Sequence, residues 1–236
     1  GAETSACRTS FDRCGVIQSR EALCNISPGA VLASQCSTLQ RSPTSTHARI
    51  TASHTMSEQV ENADNDDADD AFQTPKYWDA FYDDEEVYDW YSAAGAMYAA
   101  CRRELRRLKG RGRVLDVGCG TASHLAALAK YADVTGVDFS ETVINANKAR
   151  QEGVTYLVED ASSLSSLEDN SFDVVLDKGT FDAYMLGATA SVDRYAASVL
   201  AALKPGGVFV ITTCNSTADE VSALFTARGF VERDRV

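Results

Sequence analysis

Long hydrophobic runs and paired cysteines are both missing from this sequence of 236 residues. No window approaches about 18 consecutive apolar residues, the length that a membrane-spanning helix requires. The seven cysteines form no Cys-x-x-Cys pair and their number is odd, so neither a zinc-ligand spacing nor a disulfide framework is evident. We therefore expect free thiols in a reducing compartment, no bound metal and no membrane partner.

The excess of acidic charge belongs to one segment of the chain. The formal net charge is −12. The stretch from Met56 to Trp90 holds 13 acidic residues and one basic residue, which accounts for the whole excess. Within it, Glu58 to Asp70 is too polar to bury an apolar core, so we expect this part to be disordered. The net charge therefore says little about the folded domain.

The first 55 residues are rich in serine and threonine and show no apolar periodicity. Five arginines and three acids make the composition similar to that of a mitochondrial transit peptide. Alternatively, Met56 is the true start and the preceding stretch is a leader. We expect a disordered, leader or targeting segment over residues 1–71 and a folded domain over residues 72–236. The expected location is cytoplasmic, or mitochondrial if residues 1–55 are a transit peptide.

Short apolar segments alternate with helical stretches from Arg113 onward. The segments are rich in β-branched residues and apolar on both faces, as buried parallel strands are. The expected strands are Val114–Val117, Val134–Val137, Thr155–Val158, Val174–Leu176 and Val208–Thr212. Helices are expected near residues 122–131, 140–152 and 191–203, and from Thr217, where a capping box with Glu220 begins. This order predicts an α/β fold: a Rossmann-like, doubly wound, mainly parallel sheet with helices on both faces.

A glycine turn follows the first predicted strand of this domain. Gly118-Cys119-Gly120 ends a buried strand and opens a helix, and residues without a Cβ let the backbone approach a ligand. Ligands of open α/β sheets bind at the carboxyl ends of the strands, so the placement fits a cofactor site. Asp116 would repel a pyrophosphate, whereas it could hold the amino group of a methionine moiety. The turn therefore favours S-adenosylmethionine over a dinucleotide.

Acidic residues also end the next three predicted strands. Asp138 could accept hydrogen bonds from both ribose hydroxyls of a nucleoside. Asp160 could accept a hydrogen bond from an adenine amino group. Asp177 and Lys178 end the fourth strand, where we expect the reacting methyl group, and are the catalytic candidates. Asp177 could orient an incoming amine or stabilise its ammonium form.

Residues from about 76 to 236 resemble the seven-β-strand lysine methyltransferases of elongation factor 1-alpha and of mitochondrial citrate synthase. The motifs that carry the resemblance are Tyr77-Trp78-Asp79 with Tyr82, Tyr88-Asp89-Trp90-Tyr91, Val114–Gly120, Gly136–Ser140 and Leu176–Ala183. The resemblance implies cofactor contacts at Trp78, Tyr82, Trp90, Gly118, Asp138, Phe139, Asp160, Ala161 and Lys178. Aromatic faces suit a sulfonium cation, because cation–π attraction contributes about 0.5–2 kcal/mol.

The resemblance implies methyl transfer from S-adenosylmethionine to a lysine side chain of a protein partner by a monomeric enzyme. A signature of the Asn-Pro-Pro-Tyr type is absent after the fourth strand, which argues against nucleic-acid and glutamine acceptors. A small-molecule methyltransferase is a first rival, because the fold does not dictate the substrate. A nicotinamide-dependent dehydrogenase is a more distant one.

The resemblance also implies an antiparallel hairpin after the last helix. The sequence reaches Val236 within the first strand expected of that hairpin, so we expect the hairpin to be truncated. A missing strand would expose apolar edge groups of the sheet. A non-catalytic binding module is therefore a further rival interpretation.

Overall fold

Five parallel strands form the centre of the fold and carry the expected site. The computed structural model describes residues 14–15, 17–18, 31–34, 72–84, 94–108, 111–122, 124–213 and 215–232. Its strands are β1 (Cys14–Gly15), β2 (Ile17–Gln18), β3 (Val31–Ser34), β4 (Gly112–Val117), β5 (Ala132–Asp138), β6 (Val154–Val158), β7 (Phe172–Lys178) and β8 (Leu203–Thr212). The five strands β4 to β8 contain the five predicted ones, and the predicted α/β class is confirmed.

The order of the central strands creates a crevice at β4. The order is β6-β5-β4-β7-β8, and every neighbouring pair in it is parallel. The chain runs outward from β4 to β6 and then returns to lay β7 on the other side of β4. Ligands of open α/β sheets bind at such a reversal, beyond the carboxyl ends of the strands. The topology therefore places a binding site above β4, β5 and β7.

Three short strands from the first part of the chain extend the sheet beyond β8. β1 pairs with β3, β3 runs parallel to β8, and β2 pairs antiparallel with β8. The sequence predicted no strand here, because these residues lack a period-two pattern. Most of residues 1–71 lie outside the described residues, so the domain boundary at residue 72 stays a prediction. The expected hairpin also stays a prediction, because the description ends at Glu232.

Seven helices are described alongside the sheet. They are α1 (Pro75–Asp84), α2 (Ala94–Arg107), α3 (Leu125–Leu128), α4 (Glu141–Arg150), α5 (Thr180–Tyr184), α6 (Val192–Ala202) and α7 (Ala218–Thr226). The predicted helix over residues 122–131 is a single turn, and α5 was not predicted. The capping box of Thr217 and Glu220 is present at the start of α7, as predicted. Within the part of the chain that the structure describes, no helix is both long and apolar enough to cross a bilayer.

Alternating strand residues build a separate core on each face of the sheet. Val114 and Val174 pack on one face with residues of α2, α3 and α4. Leu115, Val175 and Phe209 pack on the other face with residues of α6 and α7. Successive side chains of a strand point to opposite faces, so strands buried on both faces are apolar throughout. The two cores hold the strand tips, and hence the site, in fixed positions.

Candidate active site

A cavity of about 300 Å³ lies at the carboxyl ends of the central strands, beneath α1. Eight of the predicted site residues line it: Trp78, Tyr82, Gly118, Asp138, Phe139, Asp160, Ala161 and Lys178. Four carboxylate side chains and two cationic side chains contribute to its wall. The cavity is therefore electrostatically suited to a cationic ligand.

The glycine turn after β4 is held by close contacts with neighbouring side chains. Gly118 and Gly120 have positive φ angles of 61° and 52°. A Cβ on Gly118 would lie 2.1 Å from Thr180 Oγ1, and one on Gly120 would lie 2.9 Å from Tyr82 Oη. The absence of a Cβ at these two positions therefore lets the turn pack closely against other side chains of the protein. Gly118 lines the cavity, whereas Gly120 and Cys119 do not.

Two of the predicted contacts at β4 lie away from the cavity. Asp116 is 1% exposed, and its Oδ2 lies 3.2 Å from His124 Nε2. The Cys119 thiol is buried, which raises its pKa well above the usual value, and it accepts a hydrogen bond from Asn147. The structure does not bring either side chain to the cavity wall, so their contact with a cofactor stays a prediction.

Asp138 lines the cavity at the tip of β5. Its Oδ2 accepts a hydrogen bond from the Gly120 amide and its Oδ1 one from the Ser140 amide, both at 3.0 Å. Burial raises the pKa of Asp138 to about 6, although these hydrogen bonds lower it and the Asp116 charge raises it further. A carboxylate has about four acceptor positions, so two further donors can be accommodated. Asp138 can therefore accept hydrogen bonds from a diol.

The tip of β6 forms the next part of the cavity wall. Asp160 Oδ1 accepts a hydrogen bond from the Ser162 amide at 2.7 Å. The carbonyl of Ala161 accepts one from Ser198 Oγ at 2.7 Å, which ties this loop to α6. Glu159, which the sequence analysis did not select, also lines the cavity, and its carboxylate accepts a hydrogen bond from the Ser166 amide. The loop is thus a fixed, polar edge of the cavity.

The two catalytic candidates at the tip of β7 have different surroundings. Lys178 lines the cavity, whereas Asp177 is 0% exposed and does not. Asp177 accepts hydrogen bonds from the amides of Thr180 and Phe181, at 2.9 and 3.1 Å, and from Tyr195 Oη at 2.7 Å. Burial raises the pKa of Asp177 to about 7, against the effect of these hydrogen bonds. In this geometry Asp177 caps α5 and anchors α6, and a contact with an incoming amine stays a prediction.

Helix α1 covers the cavity with aromatic rings. Trp78 is 8% exposed, and Tyr82 stacks on it with 6.0 Å between ring centroids. Asp79 anchors the helix to the start of α4, because its Oδ1 accepts hydrogen bonds from Ser140 Oγ at 2.6 Å and the Thr142 amide at 3.1 Å. Partial burial raises the pKa of Asp79, but these hydrogen bonds lower it by more, so the net shift is downward. Trp90, the third predicted aromatic contact, lies outside the described residues.

Helix α1 and the residues just before it form the roof of the cavity. A glutamine that the sequence analysis missed lies at one end of this roof. Gln73 Nε2 donates to the Tyr184 carbonyl at 3.0 Å, and its Oε1 accepts a hydrogen bond from Thr189 Oγ1. A Cβ on Gly187 would lie 2.1 Å from Gln73 Cδ, so the glycine leaves room for this side chain. No motif marks Gln73 in the sequence, because its role comes from a contact 111 residues away.

Asp182 also lines the cavity, and the sequence analysis gave it no role. It lies in the first turn of α5, is 4% exposed and accepts a hydrogen bond from Thr213 Oγ1. The residue belongs to the run from Leu176 to Ala183 that carries the family resemblance. That run was the only available signal, since nothing in it distinguishes Asp182 from Asp177.

Comparison with known proteins decides the family. A family model described as a methyltransferase domain matches residues 108–231, which include β4 to β8 and the whole floor of the cavity. This chain belongs to the methyltransferase-domain family. The predicted methyltransferase activity is thereby confirmed.

Two relatives extend the similarity of this methyltransferase beyond the family model. EEF1A lysine methyltransferase 2 of Danio rerio is 30% identical over 171 residues, which cover 64% of this chain and 73% of that protein. The Homo sapiens protein of the same name is 31% identical over 170 residues, covering 64% and 72%. Among solved structures, the PH0226 protein from Pyrococcus horikoshii OT3 matches with a TM-score of 0.44 and 27% identity, covering 57% of this chain and 66% of that chain.

Proposed function

We propose that this methyltransferase transfers the methyl group of S-adenosylmethionine to a lysine ε-amine of a protein similar to elongation factor 1-alpha. The observation that carries the proposal is the excess of carboxylates on the wall of an aromatic-roofed cavity. Both the sulfonium and a lysine side chain are cations, and both match that charge. The two relatives named as EEF1A lysine methyltransferases support the choice of a protein lysine.

Different residues of the cavity wall would contact the ribose, the adenine and the sulfonium of S-adenosylmethionine. Asp138 would accept the ribose hydroxyls, and Asp160 with Ala161 would meet the adenine. Trp78 and Tyr82 would face the sulfonium, where cation–π attraction contributes about 0.5–2 kcal/mol. Lys178 would lie at the far end, toward the acceptor. When bound, the cofactor supplies an electrophilic methyl group and leaves as a neutral thioether.

The work left to the protein is to align the acceptor and to help its amine lose a proton. An unperturbed lysine has a pKa of about 10.4, so the amine is mostly protonated at neutral pH. Burial beneath the roof of α1 lowers that pKa, because desolvation disfavours the charged form. Alignment of the two reactants and exclusion of water can supply about 7–11 kcal/mol of the barrier reduction. The lysine nitrogen gains the methyl group and releases one proton to solvent.

Calorimetric titration with S-adenosylmethionine and, separately, with NAD tests the cofactor. We expect binding of the sulfonium compound alone. Incubation with labelled S-adenosylmethionine and purified elongation factor 1-alpha then tests the acceptor. Label in the protein, on a lysine identified by mass spectrometry, is the expected result. Label only in a low-mass fraction of a cell extract would indicate the small-molecule rival instead.

We further propose a cytoplasmic, monomeric enzyme whose catalytic domain spans residues 72–236. The relatives named for elongation factor 1-alpha support the cytoplasm, and a transit peptide in residues 1–55 is the mitochondrial alternative. Microscopy of the full chain with a C-terminal fluorescent tag tests this. Diffuse cytoplasmic signal is expected, and mitochondrial signal that disappears on removing residues 1–55 would favour the alternative.

A further inference from the structure

We propose that Asp182 binds the side chain of the acceptor lysine at the β7–β8 end of the cavity. This inference rests on the proposed function and names the acceptor subsite of the same cavity. It assigns the role to a residue one turn beyond the strand-end pair Asp177-Lys178. The argument has three parts: the position of Asp182 along the sheet, the way it is held, and its charge.

The cavity has a cofactor end and an opposite end. Asp138 ends β5 and Asp160 lies just beyond the end of β6, and these are the two strands on one side of β4. Asp182 follows β7, and Thr213 directly follows β8, on the other side of β4. A nucleoside held by Asp138 and Asp160 therefore leaves the β7–β8 end for the acceptor.

Asp182 is held rigidly at that end. Its carboxylate accepts a hydrogen bond from Thr213 Oγ1, and Thr213 is itself only 1% exposed. The helix that carries Asp182 is fastened to the glycine turn, because Thr180 Oγ1 donates to the carbonyls of Val117 and Gly118 at 2.8 and 3.1 Å. A carboxylate fixed in this way can orient a bound group rather than follow it.

The charge of Asp182 matches the acceptor. A carboxylate that is 4% exposed is poorly solvated, and a bound cation offsets the cost of its burial. Burial chiefly raises the pKa of the adjacent Asp177, and the negative charge of Asp182 raises it further. Asp182 therefore supplies a negative charge at this end of the cavity, beside the cationic Lys178. A lysine ammonium entering here would pair with Asp182, and the neutral amine left after loss of a proton could still donate a hydrogen bond to it.

Substitution of Asp182 by asparagine tests the proposal in the full chain. We expect Asp182→Asn to lower kcat/KM for elongation factor 1-alpha by ~10–100-fold, the range for losing a hydrogen bond to a charged group. Affinity for S-adenosylmethionine, measured by calorimetry, should change less than about twofold. Binding of elongation factor 1-alpha in the presence of the demethylated cofactor should weaken in parallel. Thr213→Val, which removes the donor that holds Asp182, should produce a smaller loss of the same kind.

Two control variants separate the acceptor role from other roles. Asp160→Asn, at the other end of the cavity, should weaken cofactor binding instead. Asp169 lies on an exposed loop, so Asp169→Asn should leave both kcat/KM and the affinity for S-adenosylmethionine unchanged.

The pH profile adds a readout that loss of packing would not produce. The Asp182 carboxylate favours the protonated form of the acceptor lysine. Asp182→Asn should therefore lower the pKa of that lysine and move the acidic limb of the pH profile of kcat to lower pH.

The outcomes distinguish this inference from the proposed function. Transfer of label to lysine by the wild type, together with the selective loss in Asp182→Asn, supports both. Full activity of Asp182→Asn, or a loss explained by weaker cofactor binding, overturns the acceptor role and leaves the proposed function intact. If the wild type binds S-adenosylmethionine but labels no lysine, the proposed function fails and the inference falls with it.

Discussion

At the scale of single residues, the strand tips were only partly predictable. Asp138 ends β5 and lines the cavity, as its place in the sequence suggested. Successive side chains of a strand point to opposite faces, so residues two apart share a face. Asp116 therefore points to the same face as Val114, and Asp177 points to the opposite face, which it shares with Val175. Both acids thus turn into the flanks of the sheet rather than into the cavity.

The unusual pKa of Asp138 predicts a pH dependence of cofactor binding. Its pKa is raised to about 6, chiefly by burial. The ionised carboxylate is the better acceptor for a diol, so affinity for S-adenosylmethionine should fall as the pH drops below about 6. Calorimetry across that range measures the effect. Asp138→Asn should bind ~10-fold more weakly at neutral pH and lose the dependence, since an amide does not titrate. An unchanged dependence in that variant would assign it to another group.

At the scale of elements, the roof of the cavity depends on few contacts. Helix α1 packs through a small aromatic cluster around Phe72, Trp78 and Phe81, apart from the two main cores. Its remaining described links include the hydrogen bonds of Asp79 to the start of α4. Trp78 and Tyr82 are four residues apart, the spacing of one helical face, and this is the local signal for the helix. The sequence could not show what anchors it, because Ser140 and Thr142 lie more than sixty residues away.

Release of that anchor should loosen the roof. Asp79→Ala removes the acceptor of two hydrogen bonds and should weaken S-adenosylmethionine binding by ~5–30-fold, with a cost in unfolding free energy of about 1–2 kcal/mol. Asp83→Ala is the matched control, because Asp83 is an exposed acid on the same helix. Equilibrium titration and urea unfolding measure the two effects. Equal behaviour of the two variants would mean that the Asp79 contacts do not position α1.

At the scale of the whole molecule, the sequence determined the sheet more clearly than the site. Strands β4, β5, β7 and β8 were predictable because each contains a short run that is rich in β-branched residues and mostly buried on both faces, whereas β6 is partly exposed. The three short strands before residue 35 were not, because they have no such pattern. Gln73 and Asp182 reached the cavity through contacts between distant parts of the chain, and a local pattern cannot reveal these.

Burial of Asp177 should make the stability of the whole molecule depend on pH. Its pKa is raised from 3.8 to about 7 in the folded state. Below pH 4 the acid is protonated in both states, and between about 4 and 7 the unfolded state ionises first, so stability falls as the pH rises. Asp177→Asn should reduce that fall by about 2–4 kcal/mol, as followed by urea unfolding at several pH values. An equally steep fall in the variant would contradict the assignment.

The central claim is methyl transfer from S-adenosylmethionine to a protein lysine. The most direct measurement is mass spectrometry of unmethylated elongation factor 1-alpha after incubation with this protein and S-adenosylmethionine, with the Asp138→Asn variant as the matched control. The account predicts a methyl group on a lysine with the wild type and a strongly reduced amount with the variant. Methylation of a residue other than lysine, or an unmodified acceptor despite measurable cofactor binding, would contradict it.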